Sequence, residues 1–206
     1  MRDAINFLLA GVGGQGTILA SDVLVNVGLA SGYQAKQAEV HGMSQRGGSV
    51  TSFVRWGKVV YSPLVGAGEV DVLLAFEKVE ALRCLRQLRP GALALVNMEA
   101  IEPLTVTSGD AVYPDDERLF AAVAQVTSQA AYIPGPALAA QVGNLKTANV
   151  VLLGALSAMM AHQAADGMQV PVDTWLSVII ERVPARYVDL NKRAFEAGRQ
   201  AVLHPA

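Results

Sequence analysis

The sequence predicts an α/β fold, a Rossmann-like open and mostly parallel sheet with helices on both faces and a helical C-terminal part. Three observations predict it. Short apolar runs at 5–10, 71–76 and 92–97 alternate with helical patterns, the signature of βαβ units and of parallel strands buried on both faces. The cluster Gly11-Val12-Gly13-Gly14-Gln15-Gly16 directly follows the first run and opens a helix, which is where such folds place a glycine loop. Hydrophobic residues are 52% of the 206 and charged residues 17%, enough apolar surface for a large core and too little charge for a disordered or coiled-coil chain. No proline- or serine-rich linker divides the chain, so 1–206 reads as a single α/β domain with a helical segment from about 168.

The run at 5–10 ends at the glycine cluster, and 17–30 follows as an apolar helix with Asp22 and Asn26 on one face. Gly32 closes that helix, and 33–40 is a second extended stretch, so the sheet begins as a parallel βαβ unit. After a loop at 41–48, the β-branched and aromatic residues of 49–56 predict a strand that turns at Gly57-Lys58 into 59–61 as a hairpin. DVLLAF at 71–76 is a buried strand, followed by an amphipathic helix over Val79, Leu82, Leu85 and Leu88 that stops before Pro90. Residues 92–97 form the next strand, 101–113 read as irregular or short edge-strand structure, and 116–126 as a helix. The apolar run 150–161 is twelve residues long, short of the ~20 a bilayer span needs, and reads as a buried helix. Asp173 is placed to cap a helix ending before Pro184, and Val183, Tyr187, Leu190, Ala194, Ala197 and Ala201 form one apolar stripe along the last helix.

Composition narrows function by exclusion. Sixteen Lys+Arg against eighteen Asp+Glu leave a net charge of −2, which offers no field to draw the chain onto a phosphate backbone, so nucleic acid is not an expected partner. Cys84 stands alone, which leaves no internal disulfide and no ligand set for an iron–sulfur cluster or a cysteine-rich zinc site. Residues 1–10 pass into the glycine loop without a small-residue cleavage site, so the expected compartment is the cytoplasm and no membrane association is expected. A mean hydropathy of +0.33 points to surface buried against other subunits, in a homo- or hetero-oligomer.

Three segments carry candidate chemistry. Gly11, Gly13, Gly14, Gln15 and Gly16 are candidates for binding an anion or cofactor, because the helix N-terminus behind them offers unpaired N–H groups and positive dipole. Glu39 is placed to act as the ribose-binding acid of an NAD fold. The alternative is that the glycines only let backbone pack closely. A Walker A loop is excluded because Thr17 stands where a lysine belongs. The second segment, His41-Gly42-Met43-Ser44-Gln45-Arg46-Gly47-Gly48, follows a strand and gathers varied donors. His41, Ser44, Gln45, Arg46, Gly47 and Gly48 are its substrate- or partner-facing candidates, against the plain reading of a solvated glycine turn. Arg46 occupies the last glycine position of G-x-S-x-G, which leaves a nucleophile elbow unsupported. In the third segment, 143–149, Asn144, Lys146 and Asn149 are further candidates, with Lys146 the anion-holding group and helix capping the alternative. His162 and His204 lack neighbouring ligands, Glu77 and Glu80 read as a solvated helix face, and no metal site or catalytic residue is assigned.

Five blocks in order, GVGGQGTILAS at 11–21, EVHGMSQRGGSV at 39–50, VYSPLV at 60–65, DVLLAFEKVEALR at 71–83 and GNLKTANVVLLGAL at 143–156, resemble the small subunit of the 2-oxoacid:ferredoxin oxidoreductases. Within that family the HGMSQRGG form resembles the β subunit of the indolepyruvate enzymes, with pyruvate and 2-oxoglutarate relatives as the alternative. The resemblance implies a γ-type Rossmann-like domain that pairs with a large α subunit holding thiamine diphosphate, Mg2+ and [4Fe-4S] clusters. It implies no cofactor tightly bound by this chain and no activity by the chain alone. The complex would convert an arylpyruvate and CoA to an aryl-acetyl-CoA and pass electrons to ferredoxin. Competing readings from the residues alone are a free-standing dinucleotide-binding oxidoreductase, a nucleotide-binding regulatory module, and a scaffold subunit away from the chemistry.

Overall fold

A computed structural model describes residues 4–41, 48–162 and 169–204. The chain runs β1 (Ala4–Val12), α1 (Thr17–Ala30), β2 (Gln34–His41), β3 (Ser49–Gly57), β4 (Val70–Ala75), α2 (Lys78–Cys84), β5 (Leu88–Asn97), α3 (Leu104–Thr107), α4 (Asp116–Val126), β6 (Ala130–Ile133), α5 (Gly135–Val142), α6 (Ala148–His162), α7 (Val172–Arg182) and α8 (Val188–Leu203). The strands form one sheet in the order β2-β3-β1-β4-β5-β6. β1, β4, β5 and β6 pair in parallel, and β3 is antiparallel to both β1 and β2. The mostly parallel α/β architecture read from the sequence is therefore borne out.

The expected hairpin from 49–56 into 59–61 is not. β3 lies between β1 and β2 along its whole length, with Leu8 opposite Phe53 on one side and Ala38 opposite Phe53 on the other. Both of its edges are taken, so the chain leaving at Gly57 has no free edge to pair with. Residues 59–61 form no strand, and Val60 N–H donates instead to Gln34 Oε1 at 2.9 Å.

Alternation along the strands builds two cores. Phe7, Leu9, Val54, Trp56, Leu74 and Leu95 face α1, α5, α6, α7 and α8. Leu8, Ala10, Leu73, Ala75, Ala94 and Val96 face α2 and α4. α6 is buried along nearly its whole length, which explains its uninterrupted apolar sequence. With its preceding turn it spans Leu145–His162, long and apolar enough to cross a membrane, yet 72% of that stretch is buried inside the protein. It is the central helix of the larger core.

Several boundaries differ from the sequence reading. α2 ends at Cys84, one 3-10 turn follows, and Leu88 begins β5. Cys84, Leu85 and Leu88 all reach the same core, so apolar spacing carried the expected helix too far. Residues 104–107 form a single helical turn after Pro103. Pro171, and not Asp173, occupies the N-cap of α7, and Asp173 sits in the first turn, where its charge suits the helix dipole. β6 and α5 carry no expectation from sequence, because AAYI and GPALAAQV are short and alanine-rich. On α8 the buried positions are Asn191, Ala194, Phe195 and Gly198, while Tyr187 before the helix is exposed. The packed face is turned from the expected stripe because glycine, with no side chain to count, makes the closest contact.

Candidate functional site

After β1 the chain builds β2 and β3 on one side, and then crosses to build β4, β5 and β6 on the other. The carboxyl ends of β1 and β4 thus flank the point where strand order reverses, where open α/β sheets bind ligands. A cleft of about 650 Å³ lies there, lined by Gly13, Gly14, Gln15 and Gly16 after β1, Phe76 after β4, Asn97 and Glu99 at the end of β5, and Lys146 and Asn149 before and within α6. Two of the three candidate segments therefore meet in one place.

The glycine loop is shaped by close contacts. A Cβ at Gly11 would lie 2.8 Å from Thr17 Oγ1 and 2.9 Å from Phe76 Cβ, and one at Gly16 would lie 2.7 Å from Asn149 Nδ2. Gly14 and Gly16 also have φ of 108° and 80°, which favours glycine. Gln15 closes the loop on itself. Its Oε1 accepts from Val12 N–H at 2.7 Å, and its Nε2 donates to Phe76 O and to Glu99 Oε2, both at 2.9 Å. Asn97 Nδ2 donates to the same two acceptors, at 2.9 and 3.2 Å, and its Oδ1 accepts from Gly135 N–H at 3.0 Å. Two amides thus hold the Glu99 carboxylate at the mouth of the loop. α1 itself carries no acidic residue in its first turn, so the cleft sets a helix N-terminus and Lys146 against one fixed carboxylate. Replacing Gln15 by alanine leaves the Val12 N–H without its acceptor, and an unsatisfied buried donor costs about 1–3 kcal/mol. Urea unfolding of Gln15→Ala is expected to show that loss, and an unchanged midpoint would show that the loop does not depend on this clasp.

The second candidate segment adjoins the first. β2 ends at His41 and β3 begins at Ser49, with Val50 paired to both His41 and Gly11. Gly13 N–H donates to Gly48 O at 3.0 Å, so the glycine loop and the exit of the 41–48 segment share a backbone hydrogen bond. Ser44, Gln45, Arg46 and Gly47 lie outside the described residues, and His41 is placed by its backbone alone. Ser49 Oγ donates to Glu80 Oε2 at 2.6 Å, which ties the start of β3 to α2.

Glu77 and Glu80 do not form a solvated face. They are 1% and 3% exposed. Glu77 caps α2 by accepting from Glu80 N–H at 2.9 Å, and also accepts from Ile101 N–H at 3.1 Å and from the Tyr113 hydroxyl. Burial, then the Glu77 contact, pushes the Tyr113 phenol well above its usual range. Glutamate is not among the usual N-cap residues, so this capping role carried no signal in the sequence. Asn144 likewise caps, accepting from Lys146 N–H at 3.0 Å, and is not among the residues lining the cleft. Glu99 and Asn97 had no sequence signal beyond their place at the end of a strand.

Glu39 sits on β2, which β3 separates from β1. At about 4.8 Å per strand that places it roughly 10 Å from the strand carrying the glycine loop, unlike the adjacent strand of an NAD fold. Cys84 is buried, and burial, followed by Glu80, raises its thiol to about 11, so it is protonated at neutral pH and is no nucleophile. Among the described residues no group of three His, Cys, Asp or Glu could hold a metal. With a single cysteine, the chain's residues do not fit an all-thiolate cluster.

The geometry defines a Rossmann-like domain with a cleft at its switch point. Residues 6–201 match the pyruvate ferredoxin/flavodoxin oxidoreductase family, and the chain belongs to it. It is 40% identical over 197 residues to the indolepyruvate oxidoreductase subunit IorB of Thermococcus kodakarensis, covering 95% of each chain. The gamma subunit of the keto/oxoacid ferredoxin oxidoreductase from Geobacter sulfurreducens superposes with a TM-score of 0.69 at 25% identity, over 97% of this chain and 98% of that one. The same fold occurs within a longer chain in the 2-oxoglutarate:ferredoxin oxidoreductase of Magnetococcus marinus, where it matches 100% of this chain and 32% of that one at a TM-score of 0.73 and 17% identity. The resemblance read from the five blocks is borne out.

Proposed function

We propose that the chain is the small, cluster-free subunit of an indolepyruvate-type 2-oxoacid:ferredoxin oxidoreductase, acting in the cytoplasm within a hetero-oligomer. The observation that carries this reading is the 40% identity to an indolepyruvate oxidoreductase subunit over 95% of both chains, on a fold whose first glycine loop and Lys146 line one cleft. Thiamine diphosphate with Mg2+ and the [4Fe-4S] clusters belong to the large partner and supply the decarboxylation and electron chemistry there. The overall reaction takes a 2-oxoacid and CoA to an acyl-CoA and CO2, with the electrons passing to ferredoxin.

This chain's part is to bind and orient. Substrate carboxylate and CoA phosphates need cationic and N–H donors; the glycine-loop amides and Lys146 line the cleft, and Arg46, His41 and Gln45 are the further donors that the sequence offers. Glu99 complements them by accepting from ligand hydroxyl or amine groups. The purified chain alone is expected to turn over no arylpyruvate with CoA and ferredoxin or a viologen dye. Activity is expected on adding the large subunit. Turnover by the partner-free chain would overturn the assignment.

A further inference from the structure

Helices cover the two faces of the sheet unequally. On the face served by α2 and α4, the core is built from β1, β4 and β5. Among the described residues, the helices of that face barely reach β2 and β3, with α2 meeting β3 at Ser49, whereas α1 covers both strands on the opposite face. On this bare half, Lys36, Ala38 and Val40 of β2 stand opposite Arg55, Phe53 and Thr51 of β3. Phe53 is only partly buried against the core, and Val40 is 51% exposed. Residues 58–65 lie alongside. They are tied to β2 by Lys36 Nζ donating to Tyr61 O at 3.2 Å and by Val60 N–H donating to Gln34 Oε1 at 2.9 Å. This segment leaves Val59, Tyr61 and Leu64 exposed at 54%, 90% and 62%. Four large apolar side chains, each more than half exposed, thus border one uncovered sheet surface.

Its charges identify the occupant. Lys36 and Arg55 are directly opposite across the two strands, an arrangement of like charges that is unfavourable in isolation. Lys58 follows at the turn. Among the described residues none of the three has a carboxylate partner, and the nearby Glu69 turns back to accept from Gly66 N–H at 3.1 Å. A two-fold-related copy would lay this positively charged patch against itself, bringing like charge to like charge without supplying a carboxylate. A different chain bearing carboxylates removes the conflict. In the Magnetococcus enzyme the same fold is 32% of a longer chain, so the fold occurs joined to a larger, non-identical body.

We propose that this sparsely covered half of the sheet, with residues 58–65, is the surface on which the large partner subunit docks. Its apolar centre is Val40, Tyr61 and Leu64, and acidic side chains of the partner sit against Lys36, Arg55 and Lys58. This rests on the reading of the chain as a subunit of a hetero-oligomeric oxidoreductase.

The test is competition of full-length variants against tagged parent chain for the large subunit, with thermal melting of each variant to show that it is folded. The Tyr61→Asp/Leu64→Asp double variant is expected to compete at least about tenfold less well, as for loss of a buried anchor. Lys36→Glu/Lys58→Glu is expected to weaken binding by a factor that shrinks as salt is raised. Leu29→Asp, on α1 against the opposite face, is expected to compete like the parent. Competition within twofold of the parent by both face variants would overturn the docking surface while leaving the subunit assignment standing. Loss of self-association with unchanged large-subunit binding would assign the face to a second copy and overturn it as well. A parent chain that fails to bind the large subunit at all would overturn the functional reading itself.

Discussion

Gly198→Ala is expected to destabilise the chain by about 3 kcal/mol or more, at the upper end of the overpacking range. A Cβ at that position would lie 1.8 Å from Val151 O and 2.7 Å from Val151 C, and one at Gly154 would lie 1.9 Å from Phe195 O. The obstacles are backbone atoms of α6 and α8 themselves, so no side-chain rotation relieves the clash. The two helices would have to separate by more than an ångström along a crossing where α6 is buried on every side. Neighbouring ties would be lost with it, including Arg199 Nη1 donating to Ser157 Oγ at 2.9 Å. Urea unfolding at constant m-value measures the effect. A loss within about 0.5 kcal/mol, the range of ordinary surface changes, would show that the two backbones do not meet this closely.

That crossing also shows where sequence pattern stops being informative. A helix stripe is counted from apolar side chains, and Gly154 and Gly198 make their contact by having none. The pattern therefore put Tyr187 and Leu190 on the packed face, where the protein puts Asn191 and Gly198. β1, α1, β4, α4 and α6 were legible because each carries its own period and punctuation, such as the glycine loop after Val12 and the acidic start of α4 at Asp115 and Asp116. The placement of β3 was not. Its alternation from Ser49 to Gly57 suits a strand with either neighbour, and only the long-range register with β1 and β2 decides that it fills the gap between them.

The site divides in the same way. Its glycines and Lys146 announce themselves by type and spacing, and the structure brings both to one cleft. Glu99 and Asn97 join them through hydrogen bonds to Gln15 and Phe76 that span 21 to 84 residues of sequence, a relation that no local window contains. Glu77 and Glu80 fail for the opposite reason. Charged residues at helical spacing usually face water, but here one caps α2 and the other receives Ser49 from β3.

Arg46→Ala is expected to lower kcat/KM of the fully assembled complex by about ten- to a hundredfold, the equivalent of one charge-assisted hydrogen bond of about 1.5–3 kcal/mol. Arg46 lies outside the described residues, but the ends of its segment are placed. His41 closes β2, Gly48 O accepts from Gly13 N–H at 3.0 Å, and Ser49 is bound to buried Glu80, so the exit of the segment is tied to the glycine loop. The role proposed for its guanidinium is to bind the 2-oxoacid carboxylate or a CoA phosphate. Arg46→Lys is expected to recover only part of the loss, because a point charge does not reproduce two parallel donors. The pattern across substrates separates its possible targets. If Arg46 holds the 2-oxoacid, KM for the 2-oxoacid rises and KM for CoA does not, and the reverse holds if it pairs with a CoA phosphate. If Arg46 is only a solvated turn residue, both variants assemble and turn over within about 0.5 kcal/mol of the parent, and that result would remove it from the site.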